Sequence, residues 1–465
     1  MPRFLRGRLL AAAVALPLLA SACTSTSADT GAAVTVTQST VAEVSQTGAG
    51  TSPAQVAAPP AAGNAGASSA PTTDPAAPTS PSTAAASSTA LSTTASAPST
   101  VAVPKPQVTT APADGATGAS PIAPVTAAAT NGTFTKVTLT NPEGRPVKGA
   151  LSADKKRWTS AEPLGYGRTY TLTSTAAAPG GQSVRTASSF TTLKPAETLY
   201  PSFFPNPELK TVGVGQPMVV IFDKPPADKA AAERALSVKT VPAVTGSWFW
   251  WDDRTLHYRA KDYWTAGTKI TVTAKIYGVD LGGGAYGETD RSMTVTIGPS
   301  KIAKVDDATK QMQVFIDGKK VKTYPVSLGQ NKQLTVNGLD ISLVTPSGTY
   351  VAQEKYLVKQ MTSASYGLPK DSPLGYDSKI PLAVRFSNEG IFVHAAPWSV
   401  EDQGVRNVSH GCINMPPAGG QWFYDNFSYG DILTVTGTST QLAPTDGYGD
   451  WNLSWDKWLA GSALR

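Results

Sequence analysis

Past residue 127 the chain is written in short runs whose alternate residues are apolar. Lys136-Val-Thr-Leu-Thr140 and Thr169-Tyr-Thr-Leu-Thr173 are two of them, set off by Asn141-Pro-Glu-Gly144 and Pro179-Gly-Gly181. A period of two sends successive side chains to opposite faces, so each run predicts a strand with one buried face and a tight turn after it. Gly167-Arg-Thr-Tyr-Thr-Leu-Thr173 is echoed by Gly267-Thr-Lys-Ile-Thr-Val-Thr273. Two all-β units, 127–195 and 196–298, therefore predict a pair of immunoglobulin-like sandwiches. In the second, alternation through Trp248-Phe-Trp-Trp251 sends Trp248 and Trp250 one way and Phe249 and Trp251 the other. One pair is expected in the sandwich core and the other against a neighbouring domain, rather than around a carbohydrate. His257 has no Cys or carboxylate cluster at ligand spacing and reads as a structural or surface strand residue.

A third unit, 299–438, continues the strand pattern. Met312-Gln-Val-Phe-Ile316 and Lys319-Lys-Val-Lys-Thr-Tyr324 flank Asp317-Gly318, a strong hairpin signal. Residues 354–381 are rich in Ser, Gly and Pro and predict a loop-dominated excursion or lid. Leu382–Phe386 and Gly390–His394 predict a hairpin that ends at the histidine. In the tail, 439–465, Trp451, Trp455 and Trp458 fall at helical spacing and predict a helical face that docks on the body. The fold class is mainly β with a short helical tail.

The N-terminal quarter is different. From Thr24 to about Pro124 the chain is almost wholly Ala, Ser, Thr, Pro, Gly and Val, with no aromatic residue between Cys23 and Phe134. Such a segment buries too little to offset its chain entropy, so 23–126 is expected to be a disordered tether. Residues 1–22 read as an export signal: Arg3, Arg6 and Arg8, then apolar Leu9–Leu19, then Ala20-Ser21-Ala22. The apolar stretch is short of the roughly 20 residues a spanning helix needs. Leu19-Ala20-Ser21-Ala22-Cys23 resembles a bacterial lipobox with Ala20 in place of the usual Leu, which implies acylation at Cys23 and a tether to the outer face of the membrane. The same residues also satisfy ordinary cleavage and secretion. The net charge of +6 comes without a dense Lys/Arg tract, and export removes nucleic acid as a partner.

Chemistry concentrates near the C-terminus. Of two cysteines only Cys412 belongs to the body of the chain, and two of the three histidines, His394 and His410, lie within eighteen residues of it. With no partner for a disulfide, the thiol reads as a nucleophile. An ordinary thiol is only a few per cent thiolate at neutral pH, so it needs a base, which His394 can supply. Gly411 allows the close backbone approach that an oxyanion pocket of N–H groups requires. A buried structural thiol is at odds with so polar a segment as Ser-His-Gly-Cys-Ile-Asn. A zinc site on His394, His410 and Cys412 lacks a fourth ligand, and a sortase-type site lacks its arginine, since only the terminal Arg465 follows the cysteine. Neither metal nor cofactor is expected.

His394-Ala-Ala-Pro-Trp398 followed by Ser409-His410-Gly411-Cys412-Ile413-Asn414 closely resembles the signature of the YkuD family of L,D-transpeptidases, cysteine enzymes that cross-link peptidoglycan. The paired β units and Trp-rich tail resemble its actinobacterial members. The resemblance implies that Cys412 attacks the carbonyl between the third and fourth residues of a tetrapeptide stem, releasing D-Ala and leaving a thioester. It implies His394 as general base, oriented by the carbonyl of Ala395, with His410 and Gly411 lining the nucleophile turn. It places Tyr376 at the oxyanion and Met361 in the lid, with Ser409, Asn414 and Trp398 around the pocket. Peptidoglycan stems are then donor and acceptor, and carbapenems are inhibitors. A carboxypeptidase or a non-catalytic wall-binding scaffold are the alternatives.

Overall fold

The computed structural model describes residues 104–465. The expected signal segment, Cys23 and the tether as far as residue 103 lie outside the described residues. The tether's expected end at residue 126 is corrected. Gln107–Ala111 is a strand, paired residue for residue with Thr126–Thr130 from Gln107↔Thr130 to Ala111↔Thr126. Val108 packs on the cluster of Val125, Ala127, Phe134 and Trp158. A strand of Gln, Val, Thr, Thr and Ala carries one sizeable apolar residue, so its order comes from a distant partner rather than from its own pattern.

The first sandwich joins a sheet ordered Gln107–Ala111, Thr126–Thr130, Arg157–Ser160, Gly149–Leu151 to one ordered Pro146–Val147, Thr133–Thr140, Thr169–Ala177, Ser183–Thr191. The second joins Pro201–Phe204, Met218–Phe222, Thr255–Ala260, Gly246–Trp250 to Thr211–Val212, Arg291–Ile297, Lys269–Ala274, Leu236–Val241. The echoed phrases occupy Thr169–Ala177 and Lys269–Ala274, and in each the leading glycine takes a positive φ (Gly167 at 60°, Gly267 at 82°).

The aromatic run divides as alternation requires. Trp248 is buried in the second sandwich and Trp250 packs at its margin. Phe249 instead stacks on Trp458 of the tail with centroids 4.9 Å apart, and Trp251 stacks on His257 at 4.9 Å. His257 is buried, its Nδ1 2.8 Å from the Asp450 carboxylate, so it ties the sandwich to the tail. The tail's single helical stripe is corrected to two short helices, Gly449–Asn452 and Trp455–Leu459. Leu453 is extended, and the Ser454 hydroxyl caps the second helix by accepting the Lys457 N–H. The three Trp rings still converge, because all of them cover Arg259: its guanidinium lies 4.8, 5.3 and 4.5 Å from the rings of Trp451, Trp455 and Trp458.

The catalytic unit has two main sheets. One runs Lys319–Pro325, Gln311–Ile316, Lys301–Asp306, Ile432–Thr436, Gly348–Val351; the other runs Glu354–Thr362, Asp377–Arg385, Phe392–Ala395, Ile413–Met415. Val314, Phe386, Val393 and Phe423 fill the core between them. Asp317 and Gly318 both have positive φ (48° and 78°), as a two-residue hairpin turn demands. The lid is not mainly loop. Glu354–Thr362 and Asp377–Arg385 pair antiparallel from Glu354↔Arg385 to Thr362↔Asp377, leaving 363–376 as the irregular tip. Leu357 and Val358 are adjacent and both exposed, so this hairpin has no single buried face and no alternation to read.

Candidate active site

Phe392–Ala395 and Ile413–Met415 lie side by side and parallel, with His394 opposite Asn414. Cys412 immediately precedes the second strand, one strand across and two residues short of the level of His394. At about 3.3 Å rise per residue and about 4.8 Å between strands, strand geometry continued one residue back to Cys412 separates their Cα atoms by roughly 8 Å. The Cys412 thiol contacts the Gly390 carbonyl at 3.5 Å. His394 is buried, and its Nδ1 is 3.0 Å from the Ala395 carbonyl. Only an Nδ1–H can donate to that oxygen, so Nε2 carries the free lone pair. Trp398, itself 58% exposed, stacks over the imidazole at 5.8 Å.

A cavity of about 910 Å³ opens on Cys412, walled by Met361, Tyr366, Tyr376, Ile391 and His410 among others. Tyr376 and His410 rings lie 4.9 Å apart, and burial keeps the Tyr376 phenol protonated, a neutral O–H donor. Burial also pushes the Cys412 thiol up to about 11, though its surface is partly open to the cavity, and drives His394 down to about 4. The resting pair at neutral pH is therefore thiol and imidazole, both uncharged.

The turn before Cys412 is held from both sides. Ser409 Oγ donates to the Cys412 carbonyl at 2.5 Å and accepts the Gly411 N–H at 3.1 Å. Gly411 sits at φ 131°, where a side chain is strained, and a Cβ there would approach Ile391 Cδ1 to 3.1 Å. Asn414 Nδ2 donates to Ser399 Oγ at 2.9 Å, and its backbone pairs with Ser327.

Residues 300–436 match the family described as the L,D-transpeptidase catalytic domain, and 116–280 match a bacterial Ig domain. The chain is 42% identical over 359 residues to L,D-transpeptidase 2 of Mycobacterium tuberculosis, covering 77% of this chain and 85% of that one. The chain belongs to the L,D-transpeptidases. L,D-transpeptidase 5 of the same species is 39% identical over 366 residues, 78% of each chain. A solved structure of the LD transpeptidase LdtMt1 in complex with imipenem is 31% identical, covering 50% of this chain and 97% of that one at a TM-score of 0.43.

In this L,D-transpeptidase, Cys412, His410, Tyr376 and Met361 reach the cavity wall. His394, Ser409 and Asn414 are buried behind it, and Trp398 stands on the loop that covers His394. Sequence reasoning missed Thr345. Its Oγ1 accepts the Gly329 N–H at 2.8 Å and donates to the Gly411 carbonyl at 2.5 Å, fixing the turn before Cys412 to the neighbouring segment. The signal was a hydroxyl closing the run Ile341-Ser-Leu-Val-Thr345, which needs a bonded partner once buried. Tyr366, beside Tyr376 in the cavity wall, was also missed; nothing in its local sequence separates it from any tyrosine in a loop.

Proposed function

We propose that this L,D-transpeptidase forms 3→3 peptidoglycan cross-links through a thioester on Cys412. The observation that carries the reading is the parallel register that sets His394 opposite Asn414, two residues past Cys412 at the cavity wall. His394 Nε2 takes the thiol proton as sulfur adds to the carbonyl between the third and fourth stem residues. Collapse breaks the C–N bond, and His394 returns the proton to the departing D-Ala amine. The N–H of Cys412 and the neutral phenol of Tyr376 stabilise the oxyanion. A diamino-acid amine from a second stem then takes the acyl group and frees the thiol. Carbapenems acylate the same sulfur by ring opening. We propose also that the chain is exported and held at the outer face of the membrane through Cys23, for which the Leu19–Cys23 motif speaks.

The deciding experiment is mass spectrometry of residues 104–465 incubated with a disaccharide-tetrapeptide, beside the Cys412→Ala variant. Loss of D-Ala with a dimer joined between third residues, absent in the variant, is the expected result. Tripeptide alone makes the enzyme a carboxypeptidase. Bound but unprocessed substrate returns it to a wall-binding scaffold.

A further inference from the structure

The cavity that opens on Cys412 carries three acidic side chains, and two of them are engaged. Asp340 accepts the Thr335 hydroxyl at 2.7 Å, and buried Asp446 accepts the Glu389 N–H at 2.9 Å. The carboxylate of Glu389 makes no hydrogen bond or ion pair among the described residues. Glu389 directly precedes Gly390, whose carbonyl contacts the nucleophilic sulfur, so its Cα is one peptide, about 3.8 Å, from that of Gly390. Of the basic groups of the same wall, burial lowers the His410 imidazole, whose Nε2 has no partner among the described residues. Arg385 donates to Glu354 at 3.2 Å and to the carbonyls of Ser387 and Asn388, and Lys359 lies over the Tyr356 ring at 4.1 Å. Among the three carboxylates of the wall, only that of Glu389 has no partner among the described residues.

We propose that Glu389 determines acceptor specificity by docking the side-chain ammonium of the second stem beside the Cys412 thioester; this rests on the cross-linking reading. An amine in water is mostly ammonium, and a carboxylate at the rim concentrates it over water as the competing nucleophile. The docked ammonium sheds one proton to solvent, and the free amine adds to the thioester carbon. The C–N bond forms, the C–S bond breaks, and His394 carries the second amine proton to the departing sulfur. Glu389 itself exchanges no proton. Its backbone bond to Asp446 holds the residue in place without spending the side chain.

The test is the ratio of cross-linked dimer to hydrolysed tripeptide in the 104–465 enzyme, its E389Q and its E389D, across ionic strength. An exposed pair of up to ~1 kcal/mol corresponds to a roughly fivefold fall in that ratio for E389Q, with E389D retaining most of it and added salt erasing the difference. Hydroxylamine, uncharged in mildly alkaline buffer, should partition alike in both proteins, which a general loss of site geometry would not allow. An unchanged dimer ratio in E389Q, or an equal loss with hydroxylamine, overturns the role of Glu389. Absence of dimer from the unaltered enzyme sinks the cross-linking reading and takes this inference with it.

Discussion

Burial of both partners sets a pH dependence that an ion-paired thiolate would not give. An ordinary thiol near 9 is ~1% thiolate at pH 7, whereas one raised to about 11 is ~0.01%, a factor of about 100 or ~2.7 kcal/mol. His394, lowered to about 4, is neutral and ready as a base across the same range. Acylation by a carbapenem, followed by stopped-flow absorbance, should therefore be flat from about pH 5 to about pH 10. Its limbs should lie near 4, where the imidazole gains a proton, and near 11, where the thiol loses one. Replacing His394 with Gln should cost about 10²–10⁴ on the plateau. The residual rate should climb about tenfold per pH unit toward 11, since only preformed thiolate then reacts. Thiolate absorbance near 240 nm titrating below pH 7 in the unaltered enzyme, or limbs near 6 and 9, would refute a neutral resting pair.

Thr345→Val keeps the shape but leaves the Gly329 N–H and the Gly411 carbonyl without their partner; about 2–4 kcal/mol of stability should be lost in urea unfolding, with slower acylation. Gly411→Ala forces a side chain onto a φ of 131° and against Ile391, so about 1–3 kcal/mol of strain should appear as reduced acylation with little change in the far-UV spectrum. Trp458 is fully buried, stacks on Phe249, and donates from Nε1 to the Ser247 carbonyl at 2.9 Å. Trp458→Ala should cost about 3–5 kcal/mol and lower the calorimetric melting temperature; an unshifted melt would show that the tail does not support the fold. His394 adds a pH term of its own. Its folded value lies below the unfolded one, so its stabilising effect is complete above about 6.5 and is lost as pH falls toward 4.

What could be read from the chain was whatever a local rule governs. Asp317-Gly318 announces its turn because both residues must take positive φ, and Trp248 to Trp251 divide between two faces because a strand has period two. The run Ser409–Asn414 is legible as a turn because its polarity is wrong for a core, and the Ser409 hydroxyl bonds to Gly411 and Cys412 within it. Features that depend on distant partners were not legible. Gln107–Ala111 is a strand because Thr126–Thr130 lies beside it, and the tail breaks at Leu453 with Trp451 before the break and Trp455 and Trp458 after it, all three set over Arg259. Of the hairpin 354–385 only the end from Leu382 was read as strand, because Leu357 and Val358 are adjacent and both exposed and no alternation marks where the strands begin. Thr345 acts through two backbone groups that are sixteen and sixty-six residues away, and no spacing rule reaches that far.

The same long-range contacts explain how the cavity keeps its orientation. Gly213 N–H donates to the Tyr429 carbonyl at 2.7 Å and Gly215 N–H to the Gly430 carbonyl at 2.8 Å, joining the second sandwich to the turn before the strand Ile432–Thr436. A Cβ on Gly213 would meet the Gly430 carbonyl carbon at 2.3 Å, so this approach is open only to glycine. The tail then closes the joint from the other side. Trp451 Nε1 donates to the Gly215 carbonyl at 2.8 Å, Arg259 to the Leu453 carbonyl at 3.0 Å, and His257 meets Asp450. The two sandwiches are fastened in turn by Tyr166, whose hydroxyl donates to the Gly287 carbonyl at 2.6 Å and accepts the Gly278 N–H at 2.7 Å. Each joint uses directional backbone bonds rather than apolar area alone, so rotation at either one breaks bonds that water reaches poorly. The second sandwich, the tail and the catalytic sheets therefore turn together, and the wall that holds Glu389 and Cys412 is aimed by residues far upstream in the sequence.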